Sequence, residues 1–404
     1  MITPYYGEFL QNPVPLELSI GSCSHGCAYC FATAKPSVDS SSTKEVEAAM
    51  RWLATYHDKS SFEARLLQLG YPVVVSNRTD PFSRSGERDV LPIMEIMRDM
   101  DIPMMIQTKG GRKALDFAKT LKPSFWYVSL SFDPDHAKLC RQIEPGAPDP
   151  MERLDLVRKL CEMGHSVAIG WNPCVQDWVT DPAKFARLLK RSGACGVWLE
   201  NLHLERKRLA IMGERRCGLL GDSLIQKACD KSRPLSPFLE IARECCKSEG
   251  LSVFSGFHWD RSDFWKPCQS IYEHTFPIWQ DCINHLHDSV EPLTAIDGDW
   301  FANGFKRRLP NIPSEACCGH ILASQSWKIA TIPGYSNHMS LHEVVDFGMR
   351  ITKSAFNPAK FWNIALAWNV GESGELVHPY SDDDGRPMYV WTKSKKEFDY
   401  YNPI

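Results

Sequence analysis

No apolar run in this chain of 404 residues approaches the ~20 needed to cross a bilayer. The opening, MITPYYGEFLQNP, carries neither a basic stretch nor an apolar one of the kind that directs export. The expectation is therefore a protein of the cytoplasm with no membrane partner. A strong net charge is also missing: 46 Lys and Arg face 49 Asp and Glu, leaving −3. Nothing draws the whole molecule to nucleic acid, and any such contact must rest on a local patch. Disulfide pairing is the next absence. The 15 cysteines are an odd number in a chain without export signals, which points to reduced thiols and metal binding.

Internal repeats and low-complexity linkers are absent as well, so domains must be placed by a change of rhythm. At this length a single hydrophobic core usually gives way to two, since cores stop growing near ~250 to 300 residues. From about residue 16 to 202, short apolar runs alternate with helical patterns: LELSI, YPVVVSN, IPMMIQTK, SFWYVSLSF, HSVAIGWNPC and CGVWLENL. This is the rhythm of a parallel α/β sheet covered on both faces. Six such strands predict a partial (β/α)6 barrel over residues 1–205, with function at the C-terminal strand ends. Beyond 205 the rhythm fades, and 206–404 reads as a C-terminal α+β extension that binds substrate. LSVFSGFHWDRSDFW there reads as one further strand, and the tail as hairpins turning at GESGE and DDDGRP.

The stretch GSCSHGCAYCF places Cys23, Cys27 and Cys30 within eight positions, and no CxxC spacing recurs after residue 30. A structural zinc site takes four ligands, usually as two pairs. Three thiolates suit a [4Fe–4S] cluster with one iron left open to chelate a small molecule. That is what binding and reductive cleavage of S-adenosylmethionine require, and the product is a 5′-deoxyadenosyl radical. The motif, directly after a first strand, resembles that of the radical SAM superfamily. The resemblance places Tyr29, just before the last cysteine, beside the adenine.

Strand alternation adds interior candidates. Ser129 and Ser131 share one face of SFWYVSLSF, opposite Val128, Leu130 and Phe132. Gln107 and Lys109 end one strand on the inner side, and Gly170, Asn172 and Cys174 another. An inward lysine needs an anionic partner, which the methionyl carboxylate would supply; a lysine that snorkels to the surface is the alternative.

More of the chain is similar to one branch. LSIGSCSHGCAYCFA, SNRTDPFSR, IQTKGG, SLSF and IEPGAPDPMERLDLVRKLCEMGHSVAIGWNP together resemble the DNA repair photolyase-like proteins, relatives of spore photoproduct lyase, over residues 14 to 202. The resemblance implies that Ser76, Lys109 and Ser131 bind S-adenosylmethionine. It also implies a conformational or ion-pairing role for Glu144 and Arg153, and a thymine-derived substrate. The lyase uses a cysteine just after its second strand as hydrogen donor, where this chain has Asn77 and Arg78. That departure favours rearrangement or modification, of lyase or isomerase type, over dimer reversal. Cys140 and Cys174 are thiols that could take the missing place, Cys174 by its inward position; the other reading of each is a small core residue.

Basic clusters at 205–216 and 304–310, with aromatics near them, suit phosphate contact and base stacking, or else a solvated helix face. The cysteines at 268, 282, 317 and 318 with His320 lack ligand spacing, and His285 and His287 read as ordinary histidines. The expected function is a radical SAM enzyme that takes hydrogen from a thymine-derived or hypermodified pyrimidine of DNA, or a modified nucleotide, supplied with electrons by a flavodoxin- or ferredoxin-type reductant. A peptide or small metabolite as substrate, and a non-catalytic iron–sulfur sensor, are the alternatives.

Overall fold

A computed structural model describes residues 2–4, 16–18, 20–21, 23–30, 39–75, 79–202, 204, 209, 214–229, 237–254, 265–273, 285–308 and 364–401. Eight strands form its main sheet in strict chain order: β1 (Thr3–Pro4), β2 (Leu16–Leu18), β3 (Val73–Val75), β4 (Met104–Thr108), β5 (Phe125–Ser129), β6 (Ser166–Trp171), β7 (Gly196–Leu199) and β8 (Ser252–Phe254). β1 is antiparallel to β2, and every later neighbour is parallel. Helices fill every crossover between the parallel strands. A parallel sheet whose order follows the chain is wound in one direction, as in a (β/α) barrel, and here β2 and β8 do not pair. The parallel strands number seven, one more than six. The added one, β8, is the LSVF segment that composition alone left beyond the barrel. It pairs with β7 at Gly196↔Ser252 and Trp198↔Phe254.

The crossover helices show why the sequence folds this way. Pro182–Arg191 starts at Asp181, whose carboxylate accepts from the Ala183 and Lys184 amides at 2.9 and 3.0 Å. Pro182 follows at a position where its missing N–H costs nothing. The helix buries Phe185, Ala186 and Leu189, and Gly193 just past its end adopts φ +87°.

Alternation sorts the sheet into two faces. Ile106, Val128, Leu130, Ile169, Trp171 and Leu199 are buried in the core under the helices. Gln107, Lys109, Tyr127, Ser129, Asn172 and Glu200, at or just past the C-terminal ends of β4 to β7, are half-buried. The register sets Gln107 beside Tyr127 and Ser129 beside Gly170. A polar, partly open face next to an apolar one marks the side on which a site can be built.

The C-terminal part adds short antiparallel ribbons: β9 (Ile364–Leu366) with β12 (Tyr389–Trp391), and β10 (Trp368–Val370) with β11 (Leu376–Pro379). Their turns fall at GESGE, with Gly374 at φ +87°, and at DDDGRP, where Asp382 accepts from the Asp384 and Arg386 amides. Among the described residues no helix is long and apolar enough to cross a membrane.

Candidate functional site

Cys23, Cys27 and Cys30 lie on the loop after β2, at the C-terminal edge of the sheet. Two other loops hold this one in place. The Ala28 amide donates to Ile143 O and the Gly146 amide to His25 O, both at 2.8 Å. His25 Nδ1 lies 2.7 Å from Gly146 O. A Cβ on Gly146 would stand 2.8 Å from His25 Cα and 2.8 Å from Ser24 O, so only glycine permits this approach. Gly146→Ala is expected to force the segment away, costing about 1–3 kcal/mol, with faster hydrogen exchange at Ala28. Unchanged exchange there would show that the contact is not needed.

The second anchor is Asp80, after β3. Its carboxylate accepts from the Thr108 hydroxyl at 2.9 Å, the Phe82 amide at 3.0 Å and the Lys109 amide at 2.6 Å. His25 Nε2 stands 3.0 Å from Asp80 Oδ2, an ion-pair distance, though off the line of a well-formed hydrogen bond. Burial alone would raise the Asp80 pKa; His25 and the amides outweigh it and hold the carboxyl below its usual range. Thr79 extends the same clamp by donating to Ile20 O at 2.8 Å.

At the centre of the third cluster is Glu144, fully buried. It accepts from Lys109 Nζ at 2.9 Å, from the Tyr29 hydroxyl and from Arg153 Nη2. Lys109 also donates to Tyr29 Oη at 2.8 Å. Arg153, fully buried too, reaches Pro148 O at 2.8 Å and Ser129 O at 3.1 Å. Burial pushes the Glu144 carboxyl up, but Arg153, Lys109 and Tyr29 together hold it well below the usual carboxylate range. Burial likewise lowers Lys109, and Glu144 and Tyr29 reverse this, so the ammonium stays charged. The anion that the inward Lys109 needs is thus an internal one, and its charge joins the cysteine loop to β4.

Tyr29 packs against Trp178, ring centroids 5.6 Å apart, and Trp178 stacks on Phe132 at 4.3 Å. Ser129 supplies its carbonyl to Arg153. The Ser131 hydroxyl is fully buried and has no hydrogen-bond partner among the described residues. Asn172 donates to Glu200 Oε2 at 2.9 Å. Ser76 lies outside the described residues. β6 ends at Trp171, so strand alternation does not reach Cys174. Its thiol belongs to the apolar core, and burial raises its pKa well above the usual value. Cys140 is buried against Glu144 and Arg153, Sγ 3.7 and 3.6 Å away.

The donor set for a metal group is three thiols. His25, inside the loop, is occupied by Asp80 and Gly146. Among the described residues no three His, Cys, Asp or Glu side chains surround one point as a single ion would require. In a [4Fe–4S] cube each thiolate takes a different iron, so its ligands stand at separate corners and need not converge. The three-thiol loop and the unpartnered Ser131 hydroxyl fit a cluster with an adjoining polar ligand.

Of the basic clusters at 205–216 and 304–310, Arg215 and Arg216 fall in the helix Glu214–Leu220 and Lys306, Arg307 and Arg308 in the helix Gly298–Arg308, whereas Arg206, Lys207 and Arg208, with Cys282, Cys317, Cys318 and His320, lie outside the described residues. His285 stacks on Trp300 at 5.5 Å, and His287 packs on Trp391 at 4.3 Å.

Asp80 and Glu200 emerge from the structure and not from the motif reading. Asp80 stands inside the SNRTDP segment, where only the folded loops reveal the four partners of its carboxylate. Glu200 was legible in principle: it follows GVWL at a C-terminal strand end, the place where this architecture puts function. Burial raises its carboxyl pKa to about 7, against the lowering effect of hydrogen bonds from Trp198 and Asn172.

No family model and no curated protein matches the chain. Among solved structures, one of TYW1 with a lysine-pyruvate adduct bound is 14% identical, covering 52% of this chain and 76% of that one, with a TM-score of 0.32. A score that low transfers neither fold nor function.

Proposed function

We propose that this chain is a radical SAM enzyme acting on a thymine-derived or hypermodified pyrimidine of DNA. One observation carries the reading. A loop of three thiols, with no fourth ligand beside them among the described residues, follows the first strand of a singly wound parallel sheet, and is tied by a buried charge network to the C-terminal ends of β4 and β5. Cys23, Cys27 and Cys30 would hold the cluster. When bound, a [4Fe–4S] cluster supplies the electron that cleaves S-adenosylmethionine to a 5′-deoxyadenosyl radical, with a flavodoxin- or ferredoxin-type protein as the external reductant.

The chain's own residues do the positioning. Glu144, Lys109 and Tyr29 fix the loop against β4. Lys109 has three N–H donors, two of them on Glu144 and Tyr29, so the remaining one is left for a cofactor oxygen. Ser129 and Ser131 present polar groups at the end of β5, and Asn172 does so past β6. The part after residue 205 would hold the substrate over this edge. A reaction of lyase or isomerase type suits the absence of a cysteine just after β3.

The test is anaerobic reconstitution with iron and sulfide, then dithionite and S-adenosylmethionine. The quantity measured is 5′-deoxyadenosine, with and without thymine-containing and hypermodified DNA. Release that rises with DNA is expected. Release indifferent to DNA would remove that substrate, and no release at all would overturn the reading.

A further inference from the structure

A cavity of about 490 Å³ opens at the C-terminal edge of the sheet, between the loops that follow β5 and β6. Its walls join two kinds of surface. His136, Gln176 and Asp177 bring polar groups from the loops, while Val179, Pro182 and Phe238 form an apolar side. Trp178, flanked by two lining residues, is itself buried and packs against Tyr29, 5.6 Å between ring centroids. The cavity therefore lies one aromatic layer from the cysteine loop.

The histidine on this wall has a fixed tautomer. Its Nδ1 lies 2.8 Å from Asp133 Oδ1. A carboxylate only accepts, so in the neutral ring Nδ1 carries the proton and Nε2 is the acceptor. Asp133 is buried and held in turn: Oδ1 accepts from the His136 amide at 3.0 Å and Oδ2 from the Thr180 amide at 2.6 Å. These bonds tie the two loops together and set the orientation of the ring, whose side chain is 26% exposed. Among the described residues nothing bonds to Nε2.

We propose that this cavity holds a thymine-type base of the substrate, with His136 Nε2 accepting the N3–H of its imide edge, an inference that rests on the function proposed above. The polar wall selects the edge. The Gln176 carboxamide carries a donor and an acceptor side by side, the complement of an imide carbonyl and its N–H. A cytosine would instead set a lone pair against Nε2. The apolar wall suits a flat ring. Phe238 is held edge-on against Trp171, 6.0 Å between ring centroids, and bases stack on aromatic and apolar surfaces of this kind. Charge decides which part of a nucleotide enters. Among the described residues the lining brings one carboxylate, Asp177, and no lysine or arginine, so it repels a phosphate and admits the base. The volume lies within the ~300–1,000 Å³ of small-molecule sites.

Calorimetric titration of the full-length protein at pH 8 tests this with thymidine and N3-methylthymidine, which lacks the imide N–H. Thymidine is expected to bind about tenfold more tightly, the scale of one hydrogen bond to a preset acceptor. His136→Phe keeps a flat ring of similar size and removes the acceptor, and Asp133 retains both backbone amides in that variant. It is expected to bring the two compounds to equal affinity, whereas a preference due only to the bulk of the methyl group would persist. Equal affinity of the wild type for the two compounds, or binding of neither, would overturn the proposal. So would a preference that survives in a folded H136F protein. The wild-type comparison stands even if the variant does not fold. The titration needs neither cluster nor reductant, so its failure is separate from failure of the radical reading, which 5′-deoxyadenosine release decides.

Discussion

Cys27→Ala protein, reconstituted with iron and sulfide, is expected to show none of the broad visible absorbance of an iron–sulfur cluster and to release 5′-deoxyadenosine at background level. The physical ground is ligand count. Three thiols are all the loop offers, its one histidine is held by Asp80 and Gly146, and among the described residues no three His, Cys, Asp or Glu side chains surround one point elsewhere or here. With two thiolates left, no side chain of the loop replaces the third. The fold is expected to survive, because the loop is anchored through the backbone amides of Ala28 and Gly146 and through Tyr29, Ser24 and His25, none of which is altered. Cys161→Ala, remote from the loop in a crossover helix, is the matched control and should keep both signals. Cluster absorbance retained in Cys27→Ala would refute the assignment outright.

Glu144→Gln is expected to lose stability by about 3–5 kcal/mol, the cost of breaking a buried ion pair from one side. Arg153 is fully buried with its Nη2 on this carboxylate, and Lys109 directs its ammonium at it. Neutralising Glu144 leaves two cations in a desolvated site with one anion fewer. Adding Arg153→Met should recover part of the loss, because the pair's net contribution is smaller than the penalty for an orphaned charge. The dependence on pH has a definite sign. The folded carboxyl sits well below its unfolded value of about 4.3, so the native state binds fewer protons on acidification than the unfolded state does. The stabilisation is therefore fully present above about pH 4.3 and drains away as the pH falls below it. Thermal melts from neutral to acid pH should show a steep acid limb in the wild type and a flatter one in Glu144→Gln. Equal melting temperatures at neutral pH would mean that the network contributes nothing.

Much of this molecule is legible in its sequence. The βαβ rhythm foretold a parallel sheet because its strands are buried on both faces and read as unbroken apolar runs such as Val73–Val75. The hairpin turns announced themselves through Gly374 and Gly385. The strand read in LSVFSGFHWDRSDFW was assigned to the extension because the alternation of strand and helix fades after residue 205, and only its pairing with β7 brings Ser252–Phe254 into the barrel sheet. Strand alternation assigns Ser129 and Gly170 to one face, and the sheet register makes them neighbours; Cys174 lies beyond the strand's end at Trp171, where alternation no longer orders the chain.

What the sequence by itself determined is local. A spacing of three and two residues between thiols, a proline after an aspartate at a helix start, and alternation along a strand depend on neighbours in the chain, whose geometry covalent structure restricts to a few outcomes. The partners of the buried charges are a different matter. The sequence pairs Lys109 with a ligand's carboxylate or the surface, whereas the fold supplies Glu144, 35 residues later. Asp80 collects groups from the loops after β2, β3 and β4, and Glu200 is held by a residue 28 positions earlier. Such pairings are decided when separate strand ends are brought side by side, because a desolvated charge takes whichever counter-charge or donor the fold delivers, and no periodicity in the chain encodes which one arrives.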